Sequence, residues 1–137
     1  MKRILLFLML VAAFTTVTAQ TVRDRHNATM GKVERDGTVR DRNNSYLGKI
    51  ESDGTIRNRN NSYLGKVERD GTVRDRSNSS IGKVESNGTV RDRSNSYLGK
   101  VESDGTVRDR NNSTIGRVEG VSQRDAAVIF FFDFFGS

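Results

Sequence analysis

The residues that could carry out acid–base or nucleophilic chemistry are one histidine and many carboxylates that recur along the chain. His26 lies in the segment RDRHN, where sister segments have asparagine or serine in its place. A catalytic histidine needs an orienting carboxylate and a nucleophile in one cleft, which near-identical segments do not provide. Carboxylates such as Asp41, Glu51 and Asp53 have Arg or Lys nearby, which suits ion pairs better than an acid/base pair with separated pKa values. We predict no catalytic residue and no enzyme, with an uncharacterised hydrolase as an alternative.

Metal and nucleic-acid binding find little support in the residue pattern. The ESDG segments lack the dense oxygen ligands of a calcium loop, and the chain contains no cysteine. We therefore expect no metal and no cofactor. RDR occurs five times and the pI is about 10.1. Each such Arg pair brackets an acid, however, and this breaks the continuous positive stripe that phosphate tracking requires. We expect no nucleic-acid partner.

The segment NNSYLG is the best candidate for ligand binding. Tyrosine rings stack on the CH groups of sugars, while amides hydrogen-bond hydroxyls, so a glycan or a protein is the candidate partner. The alternative is structural, because Asn and Ser form turns and because Ser80 and Thr114 replace tyrosine in sister segments. The candidate ligand-binding residues are Asn43, Asn44, Tyr46, Asn60, Asn61, Tyr63, Asn95 and Tyr97.

These segments belong to a 17-residue repeat, of which TVRDRNNSYLGKIESDG (38–54) is one unit. Five full units and a partial sixth follow one another from residue 21 to residue 119. Such self-similarity predicts a repeat architecture in which one unit cannot bury its own apolar face. Glycine recurs twice per unit and no helical stripe is sustained, whereas TVR and KVE alternate polar and apolar residues as short strands do.

The valines predict the strand register around the Asp-Gly turns. A three-residue loop over 35–37 pairs Val33 with Val39 on one face and gives Gly37 a positive φ. The structural turn glycines are Gly37, Gly54, Gly71, Gly88 and Gly105.

The second connection in each unit is expected to be a four-residue turn, such as 43–46. This turn would place Val39 opposite Ile50 and Asp41 opposite Gly48. The two turns together put one β-branched residue per strand on one face over twelve strands. An open sheet would leave two exposed edges, so we predict a closed ring.

Units such as DGTVRDRNNSYLG (36–48), behind a charged and apolar N-terminus and followed by the tail AAVIFFF, resemble the bacterial secreted five-fold beta-flower proteins. The resemblance covers essentially the whole chain after residue 19. It implies an all-β ring of hairpin petals and no assigned activity. The units give five Asp-Gly or Asn-Gly hairpins plus a seam, which leaves open whether the seam makes a sixth petal.

The N-terminus has the features of a secretory signal peptide. Lys2 and Arg3 precede an apolar run over 4–14, and small residues precede Gln20. We expect cleavage near Ala19 and export to the periplasm, the outer surface or the extracellular space. Cleavage would lower the formal net charge of +6 by two. The predicted organisation is a signal peptide over 1–19, a repeat domain over 20–122 and a Phe-rich C-terminal segment over 123–137.

The Phe-rich segment is too short to span a bilayer as a helix. As a helix it would place Val128, Phe131, Phe132 and Phe135 on one face. It could plug the ring, mediate contact between copies of the chain, or insert at a membrane surface. We expect the plug, because twelve strands enclose a wider lumen than the roughly eight-stranded barrels that side chains alone fill.

The sequence therefore predicts an all-β closed ring of short antiparallel hairpins, with a C-terminal apolar segment packing on it. The predicted function is a non-catalytic structural or ligand-binding module of the cell envelope, with its partner unknown. The alternative is a membrane-active or homo-oligomerising protein that uses the Phe-rich tail.

Overall fold

A computed structural model describes residues 20–136 as twelve β-strands and one α-helix. The predicted signal peptide and its cleavage site near Ala19 lie outside the described residues, so export stays a prediction. The strands are β1 (Thr21–Asp24), β2 (Thr29–Val33), β3 (Thr38–Asp41), β4 (Tyr46–Ile50), β5 (Thr55–Asn58), β6 (Tyr63–Val67), β7 (Thr72–Asp75), β8 (Ser80–Val84), β9 (Thr89–Asp92), β10 (Tyr97–Val101), β11 (Thr106–Asp109) and β12 (Thr114–Glu119), and the helix α1 is Gln123–Phe131.

The twelve strands form one closed antiparallel barrel. Strands that are neighbours in sequence are neighbours in the sheet, and β1 pairs with β12 to close it. Across this seam, Val22 lies opposite Val118. The strands form six hairpins, from β1–β2 to β11–β12, so the ring has six petals, and the seam joins the last hairpin to the first. The predicted closed ring of hairpins is confirmed.

Five loops that end in glycine, which we call the Gly-loops, join successive hairpins. They are residues 35–37, 52–54, 69–71, 86–88 and 103–105. In the first, Glu34 N–H donates to the Thr38 carbonyl at 2.8 Å, and Gly37 N–H donates to the Glu34 carbonyl at 2.8 Å. Gly37 has a φ of 96°, and Val33 pairs with Val39. The predicted three-residue loop is confirmed, and it depends on the ease with which glycine adopts positive φ.

The Gly-loop aspartates make the fold sensitive to acid. Asp36, Asp53, Asp70 and Asp104 each accept the backbone N–H of the threonine two residues ahead, which holds the pKa of each carboxyl below its ordinary value of 3.8. Because the folded pKa lies below the unfolded one, each contributes stability that is present above about pH 4 and is lost as the pH falls through the folded pKa. Half-buried Asp125 acts in the opposite sense, since its partial burial raises its pKa. We expect the melting temperature to fall below about pH 4.

Asn87 provides the control for this prediction. It occupies the aspartate position of the fourth Gly-loop and accepts the Thr89 N–H through its amide oxygen at 3.0 Å. A chain with Asp36→Asn, Asp53→Asn, Asp70→Asn and Asp104→Asn therefore keeps the four hydrogen bonds and loses the titrating groups. Its melting temperature should depend less on pH between 2 and 4 when both chains are followed by circular dichroism. If the melting temperatures of both chains depend equally on pH, these carboxylates do not cause the loss of stability in acid.

The loops inside the hairpins, which we call the Asn-loops, differ from the prediction. They are residues 25–27, 42–44, 59–61, 76–78, 93–95 and 110–112. In the second, Asp41 N–H donates to the Ser45 carbonyl at 3.0 Å, and Asn44 N–H donates to the Asp41 carbonyl at 2.9 Å. Asn44 has a φ of 69°. The loop thus has three residues, with asparagine in the left-handed position that glycine takes in the Gly-loops, because asparagine tolerates that conformation better than most residues.

The register across each Asn-loop changes accordingly. Val39 pairs with Gly48 and Arg40 pairs with Tyr46, with a β-bulge between the two pairs. The predicted four-residue turn over 43–46 and its pairings, Val39 with Ile50 and Asp41 with Gly48, were wrong. The bulge absorbs one extra residue, so that the valines still face the interior.

The predicted row of β-branched residues forms the core. All twelve are buried, the most accessible being Val84 at 6%. Ala126, Ala127 and Val128 of α1 are completely buried against them. The row comprises Val22, Val33, Val39, Ile50, Ile56, Val67, Val73, Val84, Val90, Val101, Val107 and Val118.

The helix α1 occupies the middle of the ring. At its start, the Gln123 amide donates to the Val101 carbonyl at 2.8 Å, and the Arg124 guanidinium donates to the Glu51 carbonyl at 3.2 Å. These carbonyls belong to the end of the barrel that carries the Gly-loops. The helix, which is not long enough to cross a membrane, then passes the valine row. It ends at Phe131, so Phe132 and Phe135, predicted on one helical face with Val128 and Phe131, both lie beyond it.

The phenylalanines of the tail lie against a ring of strand glycines, which we call the glycine layer. A Cβ atom at Gly82 would lie 2.7 Å from Phe132 Cε1, so only the missing side chain leaves room for the phenyl ring. Four further pairs repeat this contact. The glycine layer is Gly31, Gly48, Gly65, Gly82, Gly99 and Gly116, and the contacts are Gly116 with Phe130, Gly99 with Phe131, Gly82 with Phe132, Gly65 with Phe134 and Gly48 with Phe135.

Candidate functional site

The six Asn-loops together form one end of the barrel, which we call the Asn-loop rim. Each Asn-loop joins an odd-numbered strand to the next even-numbered strand. In a closed antiparallel barrel all such connections lie at the same end. The structure therefore brings all the predicted ligand-binding residues to this end of the molecule, on three of the six hairpins.

The asparagines of the rim build the turns through their backbone. Asn44 holds a positive φ, and its carbonyl accepts the Arg40 guanidinium at 3.2 Å. Asn43 N–H donates to the Asp41 carboxylate at 2.9 Å, so the two asparagines of this loop have different structural tasks. The same positions recur in the other Asn-loops. The candidate asparagines Asn43, Asn44, Asn60, Asn61 and Asn95 are all exposed.

The three tyrosines lie on the outer wall beside this rim. Tyr46 pairs with Arg40 across the hairpin, and the Arg40 guanidinium carbon lies 5.8 Å from the centre of its ring. Tyr46 is half-buried, whereas Tyr63 and Tyr97 are 37% and 36% exposed. The rings stand on separate hairpins, so each could contact a different part of an extended ligand. Ligand binding by the eight candidate residues stays a prediction.

Sequence reasoning missed a ring of arginines at the same rim. The second arginine of each RDR or RNR segment is exposed and, within residues 20–136, has no carboxylate within 4.0 Å. We call these six the loop arginines. They are Arg25, Arg42, Arg59, Arg76, Arg93 and Arg110.

The neighbouring charges explain why the loop arginines are left without a partner. The first arginine of each segment pairs with a glutamate at the end of the neighbouring strand, as Arg57 does with Glu51 at 3.2 Å and Arg23 does with Glu119 across the seam at 4.0 Å. The acid between the two arginines is occupied by the turn, because the Asp41 carboxylate accepts the N–H groups of Asn43 and Ser45, both at 2.9 Å. Of the acids expected to form ion pairs, Glu51 does so, whereas the carboxylates of Asp41 and Asp53 accept backbone N–H groups of their own loops.

His26 has a structural place in the first Asn-loop. Its backbone N–H donates to the Asp24 carboxylate at 2.8 Å, as Asn43 does to Asp41 in the next unit, and its side chain is exposed. Over the range 20–136, no group of three or more His, Cys, Asp or Glu residues could hold a metal ion. The histidine is thus explained as a variant of a loop position.

One acid outside the repeats lies in a cleft and was not singled out in the sequence. Asp125 borders a cavity of about 900 Å³ between the start of α1 and the first two Gly-loops. Burial raises the pKa of Asp125, while the Arg124 guanidinium, 3.0 Å away, opposes the rise. Asp125 N–H donates to the Ser122 hydroxyl at 3.0 Å, which caps the helix. These contacts give Asp125 a structural place: Ser122 is the N-cap that accepts the Asp125 N–H, and the Asp125 carboxylate pairs with Arg124.

The architecture defines a class of protein: a closed barrel of near-identical β-hairpins built around its own C-terminal helix. A model of the family described as 5-fold beta-flower protein matches residues 19–135, and the chain belongs to this family. The predicted family is confirmed. The chain matches no curated protein and no solved structure. Membership indicates a repeat fold that is generally not enzymatic.

Proposed function

We propose that this protein is an exported, non-catalytic binding module of the cell envelope that takes an acidic glycan at the Asn-loop rim. The observation that carries the proposal is the ring of six loop arginines, all exposed and without a carboxylate partner in the described part of the chain. Guanidinium groups hold carboxylates and sulfates through paired hydrogen bonds, which suits uronic-acid or sulfated sugars.

The tyrosines and asparagines supply the rest of a sugar-binding surface. Tyr63 and Tyr97 expose ring area beside the rim, on which the CH groups of a sugar can stack. The exposed side-chain amides of Asn60 and Asn61 provide donors and acceptors for hydroxyl groups. An anionic sugar therefore finds a charge, a flat apolar face and amides within one hairpin.

The repetition of the site favours a repeating ligand. Each hairpin offers only a few exposed contacts, which together make a weak site. A polysaccharide that engages several hairpins at once gains avidity, because each later contact forms at a high effective concentration. Six loop arginines around one rim, three of them with a tyrosine on the same hairpin, suit a long chain better than a single small molecule.

A glycan array with uronate-containing, sulfated and neutral polysaccharides tests the proposal. We expect binding to the acidic members, weakening as salt is raised from 50 to 500 mM, since exposed charges are screened. The double variant Arg59→Gln and Arg93→Gln should reduce the affinity by roughly tenfold or more.

The control variant is Arg35→Gln with Arg69→Gln. These arginines are also exposed, but they lie in Gly-loops at the opposite end, and the double variant removes the same charge. It should leave binding unchanged. Equal losses in both variants, binding to neutral glycans only, or binding to a protein and to no glycan would each contradict the proposal.

The alternative use of the tail at a membrane has less support. The phenyl rings of Phe130, Phe131, Phe132, Phe134 and Phe135 contact ring glycines, and membrane insertion would have to remove them from those contacts. Liposome flotation of the protein distinguishes the two, because the proposed glycan module should remain in the unbound fraction.

A further inference from the structure

The glycine layer has six positions, but the tail supplies a phenyl ring to five of them. The position without a ring is Gly31 in β2. The atoms nearest to a Cβ at Gly31 are all backbone atoms of Arg40 and Asp41, whereas each of the other five positions has a phenyl carbon within 2.8 Å. The repeat therefore builds a sixth site of the same kind that the tail does not fill.

A cavity of about 200 Å³ lies at this sixth site. Met30, Leu47, Ile129 and Phe135 border it, so its walls are largely apolar. Lys32, Arg40 and Asp133 also border the cavity and give its edge a mixed charge with one excess positive group.

The exposure of Met30 is a second sign of a missing ring. Met30 is 40% exposed, the largest value among the large apolar side chains of the described chain. Its counterparts in the other units are half-buried and pack on the core. They are Leu47, Leu64, Ile81, Leu98 and Ile115.

We propose that the cavity beside Gly31 binds a small monocyclic aromatic compound, whose ring takes the place of the missing phenylalanine. The five filled positions show that this geometry accepts a phenyl ring. The size fits as well, since an engineered cavity of about 150 Å³ lined by Leu, Ile and Phe binds benzene. This site is separate from the acidic-glycan site at the rim and does not depend on it.

Titration with fluorobenzene tests the site directly. Met30 is the one methionine between residues 20 and 136, so a ¹³C-methyl-methionine label reports on the cavity wall. We expect a saturable shift of the Met30 methyl resonance and broadening of the ¹⁹F signal of fluorobenzene. A Met30 resonance that does not move up to the solubility limit would overturn the proposal.

Gly136→Phe is the variant that should fill the site from within. Gly136 borders the cavity and follows Phe135, and the atom closest to a Cβ there belongs to the exposed Asp133 side chain, which can move. The variant should melt several degrees higher than the unmodified protein and lose the fluorobenzene effect. The control, Gly136→Ser, should change neither property.

A variant that binds fluorobenzene as well as the unmodified protein, despite being folded, would place the ligand elsewhere and overturn the assignment. If Gly136→Phe does not fold, a nuclear Overhauser contact between the Met30 methyl group and the ring protons of fluorobenzene decides the location. Its absence in the saturated sample would also reject the site.

Discussion

A chain that lacks residues 126–137 is expected to aggregate or to unfold near room temperature. Ala126, Ala127 and Val128 are completely buried at the centre of the ring, and Phe132 is only 7% exposed. Burial of one phenylalanine stabilises a protein by about 1.5–3 kcal/mol. Loss of several such contacts matches or exceeds the roughly 5–15 kcal/mol of a typical domain.

Circular dichroism melting and size-exclusion chromatography measure this effect. The matched control adds residues 126–137 back as a separate peptide, which should restore part of the melting transition, because the valine row and the glycine layer remain in the ring. A truncated chain that stays monomeric and melts at the same temperature as the full protein would disprove the role of the tail as a plug.

The second large effect is expected from Gly54→Val. Gly54 has a φ of 96°, and a Cβ there would collide with the carbonyl oxygen of Val67. A β-branched residue at positive φ costs about 1–3 kcal/mol in backbone strain alone, and the collision adds to it. The Gly54 carbonyl also accepts the Val67 N–H at 2.9 Å, so a shift of the loop breaks a bond to the next strand.

Ser52→Ala in the same Gly-loop is the control. Ser52 is exposed, and the Arg124 side chain contacts its backbone carbonyl, which the substitution keeps. The free energy of unfolding of this variant should therefore differ from that of the unmodified protein by less than about 0.5 kcal/mol. Both variants are compared by urea unfolding. Small and equal losses would mean that the positive φ of Gly54 is unimportant to stability.

The fold could be predicted from the sequence to the extent that one physical signal pointed to one geometry. Asp-Gly alone also fits a two-residue turn, but the valines favoured the three-residue loop that pairs Val33 with Val39, and this pairing is observed. Asparagine gave no such signal. It sits in turns of several kinds, so its left-handed conformation at Asn44 and the resulting bulge could not be distinguished from a longer turn.

The glycine layer is visible in the sequence as one glycine inside every second strand. A glycine in the interior of a strand often marks the close approach of another group, and such a glycine recurs in every unit of this chain. The sequence predicted that the tail plugs the ring, but it did not show which of the tail side chains meet these glycines. The structure shows that the strand glycines leave room for the phenyl rings of the tail, which accounts for both sets of residues.

The candidate site was predicted in position but not in chemistry. The rim with its asparagines and tyrosines followed from the spacing of the turns. The loop arginines did not, because the sequence places two arginines around each acid and does not say which one is paired. Only the register across the Gly-loop 52–54 brings Arg57 to Glu51 and leaves Arg59 at the rim.

The mismatch between five phenyl rings and six strand glycines bears on how many units such a chain can carry. An added 17-residue unit would bring two more strands, widen the barrel in proportion, and leave two glycines without a ring. Loss of one unit would instead give a narrower barrel in which every glycine meets one ring. The units are nearly interchangeable and set no limit to their own number. The tail has a fixed set of five contacting rings, so it matches a ring of five units and leaves one position open in this ring of six.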